Sequence, residues 1–230
     1  MISFNNGLLR LMGEDVLGAL GDPPVVSLAM RQRLDGPEAK EFAYFIEAGV
    51  VSVIADLEGK MAVELGIIGS EGMVGLNIVY GDAQDPYHTV MQVEGSAIRI
   101  EAERLRRLLD ENEQARRVLL RFARAFSIQV ASTALANGRS RLDERLARWL
   151  LMVSDRVGST FAITHEFISV MLGVRRSGVT LAVQILEGKG FIRATRGSIS
   201  IVDRNGLKAA ANGAYGFAEL HYARLLGGEA

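Results

Sequence analysis

Residues 164–187, THEFISVMLGVRRSGVTLAVQILE, decide the fold of this chain. They read as a short helix, a tight turn at Gly173 and a second helix opening on two arginines. Thr164 is placed to cap the first helix by accepting from an amide one turn on. Phe167, Ile168, Met171 and Leu172 fall at helical spacing and predict one apolar face. Ser169 is small where the second helix must cross the first. Val179, Val183 and Leu186 predict the buried face of the second helix, with Ala182 and Ile185 at its edges. Arg175, Arg176, Ser177 and Thr180 are left on the opposite side. That is the layout of a helix-turn-helix, whose second helix enters the DNA major groove by its N-terminal end. Any pair of packed helices needs small and apolar residues at similar places, so the pattern alone does not exclude a plain αα-hairpin.

Working outward towards the C-terminus, residues 188–202, GKGFIRATRGSISIV, predict a two-stranded hairpin with Thr195-Arg196-Gly197 at its tip. A helix-turn-helix followed at once by such a hairpin is a winged helix. Arg196, Arg193 and Lys189 suit phosphate contact. The tail, residues 205–226, predicts helix that packs back on the protein. Upstream, Ser140-Arg141-Leu142-Asp143 reads as a capping box opening the helix RLDERLARWLLMVSD, with Leu142, Leu146, Trp149, Leu150 and Val153 on its core face. Asn137-Gly138 is the expected hinge.

Before the hinge lies a long helical zone, residues 101–138. Ala115, Leu119, Phe122, Phe126, Gln129, Thr133 and Ala136 recur at alternating spacings of four and three, a coiled-coil seam. Leu119, Phe122, Phe126, Gln129 and Thr133 are thus the candidate dimer contacts. A helix packed on its own barrel is the alternative. Earlier still, residues 5–20 predict an amphipathic helix. Residues 25–100 carry short apolar segments at 25–30, 42–46, 50–55, 61–68, 73–79, 87–94 and 96–100, divided by glycines, with Glu58-Gly59 as a hairpin turn. That pattern signals an all-β sandwich or barrel.

Charge is divided along the chain although it sums to −1. Residues 1–100 carry −8, residues 101–138 carry +2, and residues 139–204 carry +5. A basic module behind an acidic one points to nucleic acid at the C-terminal part only, against the plainer reading of unevenly spread surface charge. The absence of cysteine excludes disulfides, thiolate metal sites and cysteine-ligated clusters, and fits a reducing cytoplasm. No apolar run reaches the length of a membrane helix. His88 with Asp82, Asp85 and Ser70 is the best set for catalysis, but nothing in their spacing orders a triad or metal site, and no enzymatic role is expected.

The order of parts resembles the Crp/Fnr family of bacterial transcription regulators. RLARWLL (145–151), LGVRRSGVT (172–180) and FAYFIEAGVVSVIA (42–55) carry the resemblance most strongly. It implies an α+β chain with a cyclic-nucleotide-binding-like β-roll at 1–110, a dimerisation helix and hinge at 111–138, and a winged helix-turn-helix at 139–230. It implies a cytoplasmic homodimer on a palindromic double-stranded DNA site, with RNA polymerase as a further partner and no membrane. The alternative is an effector-binding module whose β-roll ligand is the main function.

Carried over by position, Arg176 stands where the family's arginine reads guanine. Arg175, Ser177, Thr180, Thr164, Lys189, Arg193 and Arg196 complete the expected DNA-binding set. Ser177 replaces a glutamate that accepts from cytosine. Leu181 replaces a second base- or phosphate-contacting arginine, and Arg175 replaces a serine cap. The family's cyclic-nucleotide cassette carries a Gly-Glu pair and a later arginine. Here Gly75 is followed by Leu76, and no Lys or Arg occurs between Met61 and Ile98. No cyclic nucleotide and no other cofactor is therefore expected.

Overall fold

The computed structural model describes residues 4–36, 41–56 and 62–227. The predicted hairpin turn at Glu58-Gly59 lies outside the described residues. Two compact units emerge, one from residues 1–53, 68–127 and 221–230, the other from 54–67 and 128–220. Among the described residues, 54–56 and 62–67 group with the second unit and 221–227 with the first.

In the first unit the opening helix is broken at Gly13 into α1 (Gly7–Met12) and α2 (Glu14–Ala19). The Asn6 side chain caps α1 by accepting from Leu8 and Leu9. The larger sheet contains β1 (Val25–Leu28), β2 (Phe42–Asp56), β3 (Ala62–Ile68) and β5 (His88–Glu101), in the order β1-β5-β2-β3, with the end of β2 and most of β3 counted to the second unit. A short β4 (Met73–Val74) pairs with β2. The expected strand at 73–79 is cut after Val74, where α3 (Leu76–Tyr80) takes over.

Two pairs of expected strands merge, 42–46 with 50–55 and 87–94 with 96–100. Glycines keep the merged strands continuous where they cross. A Cβ on Gly95 would lie 1.9 Å from the Ala48 carbonyl oxygen, and one on Gly49 would lie 2.6 Å from that of Val93. The enclosed core includes Leu8, Leu9, Phe45, Met73, Met91, Ile98 and Leu105. Each large apolar side chain buried there contributes about 1.5–3 kcal/mol.

Helix α4 (Ala102–Glu111) ends at Asn112, whose side chain accepts from Ala115 to cap α5 (Glu113–Arg139). Helix α5 runs through Asn137-Gly138 without a break, so the expected hinge is helix. Ser140 continues the helical bonding to Ala136. The cap of α6 (Leu142–Val157) is therefore one residue later than predicted. The Arg141 amide donates to the Glu144 carboxylate at 2.9 Å. By length and composition α5 is apolar enough to cross a bilayer, unlike any continuous run in the sequence. Yet it buries Ala115, Val118, Leu119, Phe122 and Ala125 in protein core.

In the second unit, β6 (Thr160–Ala162), β8 (Ser198–Ile201) and β7 (Ile192–Thr195) form a small antiparallel sheet in that order. It stands beside α6, α7 (His165–Met171) and α8 (Arg176–Gly188). Leu146, Trp149, Leu150, Val153, Ile168, Val179, Val183 and Leu186 are buried among them. The chain closes with α9 (Arg204–Ala210) and α10 (Phe217–Leu226). The tail packs back as expected, with Leu226 buried and the Tyr222 hydroxyl donating to the Glu71 carbonyl at 2.6 Å.

Candidate nucleic-acid interface

Helix α7 starts at Thr164, whose hydroxyl accepts from the Phe167 amide at 3.2 Å. It ends in a turn through Gly173, at φ +61°, a conformation cheapest without a Cβ. The Val174 amide donates to the Ser169 carbonyl at 2.9 Å and aims the chain into α8. Val179, Ala182, Val183 and Leu186 point inward, as the spacing predicts. Their burial turns Arg175, Arg176, Ser177, Leu181 and Gln184 outward.

Arg175 is the N-cap residue of α8 and gives no side-chain cap bond. The N-terminal amides of α8 are thus not capped by that side chain, and unsatisfied amides at a helix start suit an anion. Arg176 opens α8 with its side chain largely in solvent. Its Nε lies 4.0 Å from the exposed Glu166 carboxylate, a loose pair in water. Thr180 is half-buried, and its hydroxyl is engaged with the Arg176 carbonyl at 3.2 Å and with His165 Nδ1 at 3.1 Å. Its expected role at the interface is therefore narrowed to its methyl group.

The wing is fastened to α8. Glu187 accepts from the Ala194 amide at 2.8 Å. The turn between β7 and β8 carries Arg196, and Arg193 and Lys189 are exposed near its base. Thr164, Arg175, Arg176, Ser177, Lys189, Arg193 and Arg196 are all solvent-facing residues of the motif and wing.

Other basic residues are turned inward, which spacing did not reveal. Arg145 donates to the Leu172 carbonyl at the end of α7. Arg148 is 5% exposed and donates to the Thr133 hydroxyl at 3.1 Å. Burial pulls the Arg148 pKa down, while Glu219 and Glu64 oppose that. Trp149, expected in the core, is there and donates from its indole to Glu64 at 2.8 Å.

The seam on α5 faces its own chain. Leu119 and Phe122 are buried in the first unit's core, and Phe126 packs partly against it. In the second unit, Gln129 accepts from the Ile67 amide at 2.7 Å and Thr133 bonds the Gln129 carbonyl. The alternative read from sequence, a helix packed on its own barrel, accounts for Leu119 and Phe122, while Phe126, Gln129 and Thr133 stay partly exposed. The outward face of α5 carries Leu120, Arg124, Ser127, Ala131, Ala134 and Leu135.

The first unit holds a cavity of about 50 Å³. Leu34, Asp35, Phe42, Val74, Asn77, Asp85 and Thr89 are among its lining residues. Burial pushes the Asp35 carboxyl up, but hydrogen bonds from Arg33 and His88 outweigh it and hold it below the ordinary value. Burial raises Asp85. His88 is thus spent on Asp35 rather than joined to Asp82, Asp85 and Ser70 in a catalytic set. Among the described residues no cluster of three metal-ligating side chains occurs.

With this geometry in place, residues 144–210 match the family described as the Crp-like helix-turn-helix domain. This segment is similar to a Crp-like helix-turn-helix domain. Most of the chain shares its fold with solved Crp/Fnr structures. A Crp/Fnr-family regulator from Eubacterium rectale aligns at 16% identity and TM-score 0.70, over 89% of this chain and 97% of that one. FixK2 from Bradyrhizobium japonicum aligns at 18% identity and TM-score 0.70, over 82% and 97%. A CRP-family regulator from Thermus thermophilus aligns at 20% and 0.69, over 83% and 98%. No curated protein matches the sequence significantly. The Crp-like domain spans α6 from Glu144, the helix-turn-helix, the wing and α9. The α+β fold expected from the resemblance, a β-sheet domain followed by a long helix and a winged helix-turn-helix, is the fold observed.

Proposed function

We propose that the protein is a sequence-specific transcription regulator that binds double-stranded DNA as a homodimer, with α8 in the major groove. One observation carries this reading. Arg175 and Arg176 stand exposed at the start of the second helix of a Crp-like domain, whose inward side is filled by Val179, Val183 and Leu186. Arg176 reads guanine through O6 and N7, and Arg175, Lys189, Arg193 and Arg196 hold phosphates. Two protomers pair through the outward face of α5, where Ser127, Ala131 and Ala134 let a second helix approach and Leu120 and Leu135 supply apolar contact. Half-sites then lie about one helical turn apart, roughly 34 Å. Such a protein works in the cytoplasm and meets RNA polymerase at its promoters.

The test is selection of bound duplexes from a random pool, followed by affinity measurements over a salt series. A two-fold consensus and a steep loss of affinity with salt are the expected results. Binding that ignores sequence would sink the reading.

A second reading, an effector-binding module, rests on the cavity beneath Asp35, Asp85 and Thr89. Thr89 is 4% exposed, and its hydroxyl has no hydrogen-bond partner among the described residues. The lining offers two carboxylates in place of a cationic phosphate site, so the ligand on this reading is neutral or cationic rather than a cyclic nucleotide. Calorimetric titration with cyclic AMP and cyclic GMP tests that choice, and saturable heat would overturn it.

A further inference from the structure

We infer that Leu181 is a specificity-determining residue that reads the C5-methyl of a thymine in each half-site. The inference rests on α8 being the helix that enters the groove. Leu181 is 59% exposed although it is apolar and sits in a helix with a well-formed buried face. Taking Val179, Ala182, Val183 and Leu186 as the inward side, the helical period puts Ser177, Leu181 and Gln184 at the centre of the outward side. The leucine thus stands in the middle of the face presented to the groove, and Ile185 on its flank is 37% exposed.

The major-groove floor is mostly hydrogen-bonding groups, and its characteristic apolar feature is the thymine methyl. A branched alkyl side chain has no donor or acceptor to offer the other base edges. Opposite guanine or cytosine it would cover groups that water otherwise satisfies, which costs free energy. Opposite thymine it excludes water from a methyl, which gains. Its polar neighbours also argue for a target of methyl size. Arg176 and Ser177 precede it and Gln184 follows it, so it does not belong to a broad apolar patch suited to a protein partner. Arg175 at the helix start matches a neighbouring phosphate. Thr180 adds no competing hydroxyl, because its oxygen is already bonded within the domain.

Position makes the inference sharper. Leu181 follows Arg176 by five residues, about 7.5 Å along a helix axis. With bases about 3.4 Å apart along a strand, the thymine should lie within about three base pairs of the guanine that Arg176 reads.

The experiment uses the full chain and its own selected site. Each thymine is replaced in turn by deoxyuridine, which removes only the methyl. Wild-type protein and Leu181→Ala are titrated on every duplex, with circular dichroism showing that both are folded. One thymine per half-site should matter, costing the wild type about fourfold per methyl and Leu181→Ala nothing at that position. If Leu181→Ala binds too weakly to measure, Leu181→Val carries the same comparison. Equal methyl sensitivity in wild type and variant assigns the contact to another residue and overturns the inference. So does a wild type that selects a site yet ignores every methyl, a result that leaves the DNA-binding reading intact. Failure to select any site overturns that reading instead, and the inference with it.

Discussion

The indole N–H of Trp149 donates to the Glu64 carboxylate at 2.8 Å, and both side chains are almost wholly buried. A residue of α6 and a residue of β3 are thereby joined by a charge-assisted hydrogen bond inside the unit that holds the helix-turn-helix. Trp149→Phe keeps most of the ring and removes the donor. It should cost about 1–3 kcal/mol of stability, read as a lowered midpoint in urea unfolding.

Arg176 and Arg196 should fail in different ways. Arg176→Ala should cost about 1–3 kcal/mol on the preferred site and flatten the preference at one base pair. Arg196→Ala, at the wing tip, should weaken all sequences alike and reduce the salt slope by about 1 for each protomer. Competition titrations at several salt concentrations separate the two. An Arg176→Ala protein with its base preference intact would refute the assigned readout.

The pairing face of α5 is tested by charge. Ala131 and Ala134 are exposed, so Ala131→Glu leaves each protomer folded. Placed against a copy of itself it should weaken the dimer by several-fold or more, since like charges at an interface oppose association. Sedimentation velocity over a dilution series reads the shift. An unchanged association constant would move the interface elsewhere.

Asp35 predicts a pH dependence with a definite sign. Its carboxyl is held below the ordinary value by Arg33 and His88 despite burial. Stabilisation from such a group is present above the unfolded-state pKa and fades as pH falls through the folded-state value. Asp35→Asn should therefore destabilise the protein at neutral pH. The gap from wild type should close in acid, as pH falls below the ordinary carboxylate range. The partners are roughly half exposed, so the neutral-pH loss should be no more than about 1 kcal/mol. Thermal melts at the two pH values give the comparison.

Gly95→Ala tests the strand crossing. The added Cβ would meet the Ala48 carbonyl oxygen at 1.9 Å, and that atom is backbone in β2. Relief requires a shift of the sheet, at a cost of more than about 2 kcal/mol. Differential scanning calorimetry should show a clear drop in Tm.

The winged helix was legible because its signals are local. Thr164, Gly173, the inward apolar positions of α8 and the turn at Arg196-Gly197 each constrain a few neighbouring residues. The α5 seam is ambiguous for a physical reason. A spacing of four and three states that one helix face is buried, but not whether a neighbouring strand or a second copy covers it. Leu119 and Phe122 satisfy that pattern inside their own chain. The α6 cap was misplaced because Ser140 is an ordinary capping residue, while Glu144 reaching back to Arg141 competes with it. Gly95 read as a gap between strands, since a sequence does not show that the space is taken by another backbone. Leu181 stands, by the resemblance, where a base- or phosphate-contacting arginine is expected, and its position around α8 leaves it exposed.

The inward arginines limit how the protein responds to its ionic surroundings. Between residues 139 and 204, Arg141 and Arg204 bond Asp143 and Asp155, while Arg145, Arg148 and Arg156 bond groups within the fold. On the motif and wing, Arg175, Lys189, Arg193 and Arg196 are the groups assigned to phosphates. Ion release counts phosphates neutralised, not formal charge. Two protomers engaging these groups would give a logarithmic salt slope of about −7. The arginines engaged within the domain thereby add little to its sensitivity to ionic strength.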